Sequence, residues 1–345
     1  MLVSDLNYDL PEELIAQHPL EERDASRMMI LDRHLGSICD SQFAEFPALL
    51  RENDVIVINN TRVFPARLFG RRMPSGAAVE LFLIRQQDEG VWETLARPAR
   101  RLSLGSHISF DDERLKAEVV GAFADGRRVV RFSCSDPLED ILEKLGQTPL
   151  PPYIKRKNEP SEEDRERYQT IYARHKGAIA APTAGLHFTQ SVMNEAAVRG
   201  VQIVEITLHV GYGTFQPIRV DDLEDHEVAP EHCELTLEAA RDLNDARESH
   251  RRIIAIGTTT TRALESSINH KGRFVPGSRM AGLTIKPGYE FRAVDALLTN
   301  FHLPGSSLLA LVAAFAGVDQ VISAYRRAVE SRYRFYSYGD CMLII

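Results

Sequence analysis

Five polar segments carry residue types suited to chemistry, and each begins where a predicted strand ends. They are Asn59-Asn60-Thr61-Arg62, Pro182 to Phe188, His209 to Gln216, Gly257-Thr258-Thr259-Thr260-Thr261-Arg262 and Thr299 to Pro304. In open α/β sheets, ligands bind outside the carboxyl ends of the strands, so these segments point to one crevice. Together they offer the hydroxyls of Thr183, Thr214, Thr258 and Thr259, the amides of Asn59, Asn60, Gln216 and Asn300, and the imidazoles of His187, His209 and His302. Hydroxyls and amides orient a polar substrate, and an imidazole takes or gives a proton near neutral pH. No two of these histidines have metal-ligand spacing.

At Gly257 a strand enters and a helix leaves. Glycine permits close backbone approach and helix N-terminal amides attract anions, which suits a carboxylate or phosphate. The segment lacks the Gly-Lys-Ser/Thr ending of a P-loop, and Gly211-x-Gly213 lacks the third glycine of a dinucleotide fingerprint. Asn59 to Arg62, with Arg67, presents amides and fixed cations for an anion. On residue types alone it is equally a buried turn with its arginine paired to an acid. Tyr333 to Asp340, with Tyr338 and Asp340 as candidate contacts, fits stacking on a base or core packing of a terminal strand. The runs Glu224 to Glu227 and Glu231 to Glu234 read as an exposed charged loop rather than a metal site.

The elements that must position these residues follow from periodicity and punctuation. Val55 to Ile58 is a strand. From Ala66 to Ser135, short strands at Val79–Ile84, Val91–Leu95, His107–Phe110, Lys116–Val120 and Arg128–Phe132 alternate with turn signals such as Asp125-Gly126, predicting a small antiparallel barrel or sandwich. Pro137 to Leu145 has helical spacing, Pro149 to Ile154 is stiff and extended, and Lys155 to Arg167 is densely charged, with a short helix near Glu162. From Gly177, strands and helices alternate. Gly177–Ala181 reads as a strand, a helix capped by Thr189 stops at Gly200, and Val201–His209 is a strand closing a βαβ unit. A helix at Leu237–Glu248, a strand at Arg252–Ile256, a helix from Thr260, a strand at Ala293–Leu298 and an apolar helix from Ser307 complete an α/β pattern.

Composition sets outer limits. The chain has 345 residues, 44% hydrophobic and 26% charged, with net charge −8. That excludes a disordered or fibrous chain, and a protein that grips nucleic acid over its whole surface. Thr61 to Ser135 holds 13 Lys and Arg against 9 Asp and Glu, so the modest positive charge is local. Four scattered cysteines support neither a disulfide framework nor a zinc ribbon and fit a reducing compartment. The longest apolar run, Leu308 to Val318, is about half of a membrane span and reads as a buried core helix. The expectation is a soluble cytoplasmic protein.

With these motifs in order, the sequence resembles the S-adenosylmethionine:tRNA ribosyltransferase-isomerase family of bacterial queuosine biosynthesis. The likeness runs from Leu6 to the C-terminus. It rests on Asn59 to Val63 with Pro65 to Leu68, Pro149 to Ile154, Gly177 to Phe188, Thr207 to Pro217, Gly257 to Arg262, Val294 to Pro304 and Tyr333 to Asp340. The resemblance implies a two-domain α/β fold, an α/β/α sandwich over 1–65 and 150–345 interrupted by a β-barrel over 66–149. It implies two substrates, tRNA carrying 7-aminomethyl-7-deazaguanine at the wobble position and S-adenosylmethionine as ribosyl donor. The products are epoxyqueuosine-tRNA, adenine and methionine. No metal or resident cofactor is implied, and a monomer is expected. The sequence departs from the family pattern at Ala229, where a second histidine is usual, and at Thr260-Thr261 within the Gly257 motif.

Within that reading a base removes a C5′ proton made acidic by the sulfonium, adenine departs, the tRNA amine attacks the ribosyl skeleton, and methionine leaves as the epoxide closes. On residue chemistry, His209 or His187 is the base, and Thr183, Thr214 and Gln216 orient ribose and amine. Thr258, Thr259 and Arg262 hold the methionine carboxylate. Asn59, Asn60, Arg62 and Arg67 meet the nucleobase or phosphates. Arg71, Arg72, Arg97, Arg100, Arg101, Arg127 and Arg128, with Lys155-Arg156-Lys157, are candidate tRNA phosphate contacts. Two other classes compete: a methyltransferase, which yields S-adenosylhomocysteine, and a non-catalytic RNA-binding barrel, which has no need of polar strand ends.

Overall fold

The computed structural model describes residues 1–110, 114–156, 162–215 and 218–345. The chain forms two units. One comprises Met1–Arg62, Pro151–Lys155 and Arg167–Ile345, and the other Val63–Leu150 and Arg156–Glu166. The expected insertion over 66–149 thus omits 156–166, a charged stretch that belongs with the barrel, where Arg165 pairs with Glu143 at 2.7 Å.

Among the described residues, nine strands form the sheet of the larger unit. Their order is Gly277–Ala281, Glu231–Leu235, Gln202–Leu208, Val55–Asn59, Ile253–Ile256, Ala296–Asn300, Cys341–Ile344, Arg27–Asp32 and Ser37–Gln42. The four strands from Gln202–Leu208 to Ala296–Asn300 are mutually parallel, so their carboxyl ends share one edge. Parallel strands are covered on both faces and read as continuous apolar runs. Val55, Ile56, Val57 and Ile58 accordingly have no exposure. One face packs Ile56, Ile58, Ile254, Ile256, Ala296 and Leu298 against Phe43, Phe46, Phe188, Val192 and Ala196. Val192 and Ala196 come from helix Gln190–Val198, whose first turn is capped by the Thr189 hydroxyl accepting from Val192 N at 3.3 Å. Helix Thr258–Ser267 packs on strands Val55–Asn59, Gln202–Leu208 and Ile253–Ile256.

The structure corrects the sequence reading at several elements. The strand expected at Gly177–Ala181 is instead His175–Ala178, paired with Thr61–Val63 in a separate two-stranded sheet. It closes no βαβ unit with Gln202–Leu208, whose neighbours are Val55–Asn59 and Glu231–Leu235. Glu231 to Glu234 is not an exposed loop. It is a strand with alternating burial, Glu231 and Cys233 inward at 5% and 1% exposure. The sequence reading assigns no strands at Arg27–Asp32 and Ser37–Gln42, although Gly36, with a φ of 69°, closes the hairpin between them. The apolar run from Leu308 lies in helix Ser307–Ala316, broken at Gly317 by a φ of 87° before helix Val318–Glu330. No single helix among the described residues is long and apolar enough to cross a membrane.

In the smaller unit, six described strands close an antiparallel barrel in the order Arg127–Cys134, Val91–Arg97, Ala77–Asp88, Arg67–Met73, His107–Phe110 and Leu115–Ala122. Its core includes Leu68, Val79, Leu81, Leu83, Val119 and Val130, capped by Ile141 and Leu142 of helix Leu138–Leu145. Strand Arg67–Met73 was not anticipated, because Gly70 and three arginines obscure its alternation. Gly70 is required there, since a Cβ would lie 2.6 Å from the Phe110 ring.

The basic residues of the barrel divide by partner. Arg128 is 9% exposed and donates to the carbonyls of Leu102, Ala99, Phe123 and Arg127, so it is a core strut rather than a phosphate contact. Arg127 pairs with Asp125 and Glu93, Arg67 with Glu80 at 2.8 Å, and Arg156 with Asp164 at 2.6 Å. Arg72 is half-buried, whereas Arg71, Arg97, Arg100 and Arg101 are exposed. In the larger unit Lys155 pairs with Glu12. Lys157 lies outside the described residues.

Candidate functional site

At the carboxyl edge of the four parallel strands lies a small, partly open cleft, the position at which open α/β sheets bind ligands. Thr183 reaches it from the turn Thr183–His187, Val210 and Thr214 from the loop after Gln202–Leu208, Gly257, Thr258 and Thr259 from the start of a helix, and Thr299, Asn300 and His302 from the end of Ala296–Asn300. Tyr153, Tyr168, Tyr336 and Ser337 complete the wall.

Backbone constraints build this edge. Gly257 has a φ of 97°, a left-handed conformation that glycine adopts without strain. Thr260 and Thr261 donate back to the carbonyls of Ile256 and Gly257 at 2.7 and 3.1 Å. Their hydroxyls therefore serve the helix, and Thr258 and Thr259 are left to line the cleft. Gly185 lies so close to the Tyr172 hydroxyl that a Cβ would fall 2.1 Å from it. Tyr336 has a φ of 75°, unusual for a bulky residue. Its carbonyl accepts from Asn300 Nδ2 at 3.0 Å and its N–H donates to the Phe301 carbonyl at 3.0 Å. Strain of this kind persists where surrounding bonds over-determine it.

Three histidines differ in setting. His302, 6% exposed, faces the cleft and pairs through Nε2 with Thr299 Oγ1 at 2.9 Å. Burial lowers its pKa to about 3. When the Thr299 hydroxyl donates to the Asn300 carbonyl at 3.3 Å, Nε2–H donates to Thr299 and Nδ1 keeps the lone pair. His187 lies behind the wall, its Nδ1 3.0 Å from Ser26 Oγ and its Nε2 3.3 Å from Asn300 Nδ2. Burial, then Arg334, lower its pKa to about 4. His209 does not line the cleft. Its neighbour Val210 does, and the His209 ring instead sits against Gly177, stacks on His232 at 5.6 Å and contacts Thr61 Oγ1 at 2.8 Å.

Other candidates are placed apart from the cleft. Asn59 Oδ1 accepts from Leu208 N at 3.0 Å and its Nδ2 donates to the Leu208 carbonyl at 2.9 Å, extending the sheet with a side chain. Asn60 joins Glu205 and Thr207 at 2.9 and 2.7 Å. Both amides are engaged within the sheet, and neither lines the cleft. Asp340, 1% exposed, accepts the backbone N–H groups of Arg27 and Arg334 at 3.0 and 2.8 Å, and burial raises its pKa. Arg62 is half-buried and is not among the residues lining the cleft. Arg67 belongs to the barrel, and Tyr338 lines a smaller neighbouring pocket. Gln216 lies outside the described residues.

Arg262 is 5% exposed and donates to Glu231 Oε2 at 3.0 Å and to the carbonyl of Ala281 at 3.1 Å, so its guanidinium is engaged by a carboxylate of the chain itself. Glu231 Oε1 accepts from Gly211 N at 2.8 Å and Thr214 Oγ1 at 3.0 Å. A buried ion pair thus fixes the turn that carries Thr214 into the cleft. Sequence reasoning missed Glu231, Tyr153 and Tyr168. The first lay in an acidic run, and the tyrosines sit in an extended and a charged passage, with no local signal that they converge.

The arrangement binds and orients a polar, partly aromatic molecule. Burial raises the pKa values of Tyr153, Tyr168 and Tyr336, so all three are neutral phenols, and their faces suit a cation or a base. The Tyr153 and Ser337 hydroxyls share a 2.5 Å hydrogen bond. Asn300 Oδ1 is buried without a hydrogen-bond partner among the described residues. Helix N-terminal amides beside Thr258 and Thr259 suit an anionic oxygen.

The buried histidines make stability pH-dependent. His187 and His302 have folded pKa values of about 4 and about 3, against 6.5 in the free side chain. Between these values the unfolded chain binds more protons. The contribution is therefore complete above pH 6.5 and is lost as pH falls, by up to ~1.4 kcal/mol per pH unit for each histidine. Denaturant unfolding at pH 7, 6 and 5 should show this slope, with His187→Gln flattening it. Stability unchanged from pH 7 to 5 contradicts the assignment.

Comparison with known proteins matches the chain to a family. A family profile described as "Queuosine biosynthesis protein" matches residues 3–344. The chain is 45% identical over 345 residues to the S-adenosylmethionine:tRNA ribosyltransferase-isomerase of Desulforamulus reducens, and 46% identical over 345 residues to that of Halothermothrix orenii, covering 100% of each chain in both cases. It is similar to the crystal structure of S-adenosylmethionine tRNA ribosyltransferase from Thermotoga maritima, with a TM-score of 0.55, 37% identity, and coverage of 99% of this chain and 100% of that one.

Proposed function

This chain belongs to the queuosine biosynthesis protein family, and from that premise we propose how its cleft works. The protein is an enzyme, an S-adenosylmethionine:tRNA ribosyltransferase-isomerase. It transfers and isomerises the ribosyl group of S-adenosylmethionine onto 7-aminomethyl-7-deazaguanine in tRNA, giving epoxyqueuosine-tRNA, adenine and methionine. Methyl transfer is not its reaction. S-adenosylmethionine is consumed as a substrate, no metal or resident cofactor takes part, and the enzyme acts as a cytoplasmic monomer.

The observation that carries the reading is the cleft itself. Hydroxyl, amide, imidazole and phenol groups from separate loops meet at one sheet edge, where open α/β sheets bind ligands. We assign the sulfonium and adenine to the faces of Tyr153, Tyr168 and Tyr336, and the carboxylate to the helix start at Thr258 and Thr259. Thr183 and Thr214 orient the ribose and the incoming amine. His302 is the proton acceptor, replacing His209 and His187, because it is the histidine that lines the cleft. It stays unprotonated through the neutral range. Its basicity is low, so the sulfonium must supply much of the C5′ acidity, and proximity much of the rate.

Isotope placement tests this. Label in the ribose of S-adenosylmethionine should appear in the modified tRNA, and label in the methyl group should not. Methyl label in tRNA contradicts the proposal.

A further inference from the structure

We infer that the smaller pocket beside the cleft is a subsite for one anionic oxygen group. It is lined by Arg23, Ser26, Arg167, His187, Tyr338 and Gly339, among others. The inference rests on the reading above, whose two substrates both carry such groups: the backbone phosphates of tRNA and the amino-acid carboxylate of S-adenosylmethionine.

Two guanidiniums define its charge. Arg167 donates to the carbonyls of Leu20 and Glu21 at 2.5 and 3.2 Å, while its Nε is buried without a hydrogen-bond partner among the described residues. Arg334, half-buried close by, donates to the His18 carbonyl, and its Nη1 is likewise buried and unpartnered. Carbonyl dipoles satisfy hydrogen bonds but do not cancel a full charge, and guanidinium forks match carboxylate and phosphate. The positive field is felt by His187, whose pKa is lowered first by burial and then by Arg334.

The opposing charges are few. Glu22 lines the pocket but is exposed. Asp340 lies near Arg334, with its oxygens accepting the backbone N–H groups of Arg27 and Arg334. Ser26 adds a hydroxyl. The pocket also communicates with the cleft. Ser337 lines both, and Asn300 of the cleft reaches His187 at 3.3 Å. An anion held here lies one side chain from the reacting groups.

The test uses the full chain and Arg167→Met, with melting temperature as the check on folding and KM for both substrates as the readout. If the anion is a phosphate, KM for tRNA rises about tenfold or more, and the salt dependence of log KM drops by about one charge. KM for S-adenosylmethionine then stays unchanged. If it is the carboxylate, held here instead of at Thr258 and Thr259, KM rises for S-adenosylmethionine but not for its decarboxylated analogue, and tRNA is unaffected. Arg167→Lys, which keeps the charge, should restore most of either effect, a rescue that a merely structural role does not predict. Inorganic phosphate should also raise the Tm of the wild-type chain more than that of Arg167→Met, a readout independent of turnover. A folded Arg167→Met with both KM values within about twofold of wild type, and equal phosphate stabilisation, overturns the inference. Loss of wild-type turnover alone would instead count against the proposed reaction.

Discussion

Replacing His302 with alanine should lower turnover by about 10²-fold or more, the scale of a lost general base, with far less change in KM for either substrate. The expectation comes from position. His302 lies at the end of strand Ala296–Asn300, faces the cleft, and is fixed by Thr299 at 2.9 Å. Its backbone N–H donates to the Tyr325 hydroxyl at 3.2 Å, and its carbonyl accepts from Tyr8, so the imidazole is attached to an over-determined turn. His209→Ala serves as the comparison, since its ring points toward Thr61 and His232. It should lose less turnover than His302→Ala at equal folded fraction. The reverse order would return the base role to His209. The same assignment places the histidine limb of the pH–rate profile below pH 5, because the His302 pKa is lowered to about 3.

The largest stability effect should come from Arg262→Met. It leaves the Glu231 carboxylate, 5% exposed, without its cation. Breaking a buried pair from one side costs about 3–5 kcal/mol, whereas replacing both partners by apolar residues is often near neutral. The double variant Arg262→Met with Glu231→Leu should therefore recover much of the stability in denaturant unfolding. It should not recover turnover, because the bonds from Gly211 and Thr214 to Glu231 are gone. Full recovery of both would mean that the turn needs no anchor.

How much of this was legible in the sequence depended on whether the signal was local. The apolar run Val55–Ile58 and the Thr189 cap are local, and both lie where their chemistry predicts. Four of the five polar segments send side chains to the cleft, whereas Asn59 to Arg62 does not. Partner choice is not local. Asn59 reads as a ligand amide until the register places Leu208 beside it. Arg262 reads as an anion holder until strand Glu231–Leu235 brings a carboxylate within 3.0 Å. His209 and Val210 are adjacent yet face apart, and no composition rule says which meets the cleft. The barrel was legible from its turns, but not its strand Arg67–Met73, where arginines and Gly70 interrupt the alternation.

The central claim is that the cleft breaks S-adenosylmethionine to give its ribosyl group to tRNA. The most direct measurement separates the small molecules released by the purified protein with and without tRNA bearing the aminomethyl-deazaguanine. Adenine and methionine in equal amounts, only with the modified tRNA, is the predicted result. S-adenosylhomocysteine, or no product from folded protein, would contradict it.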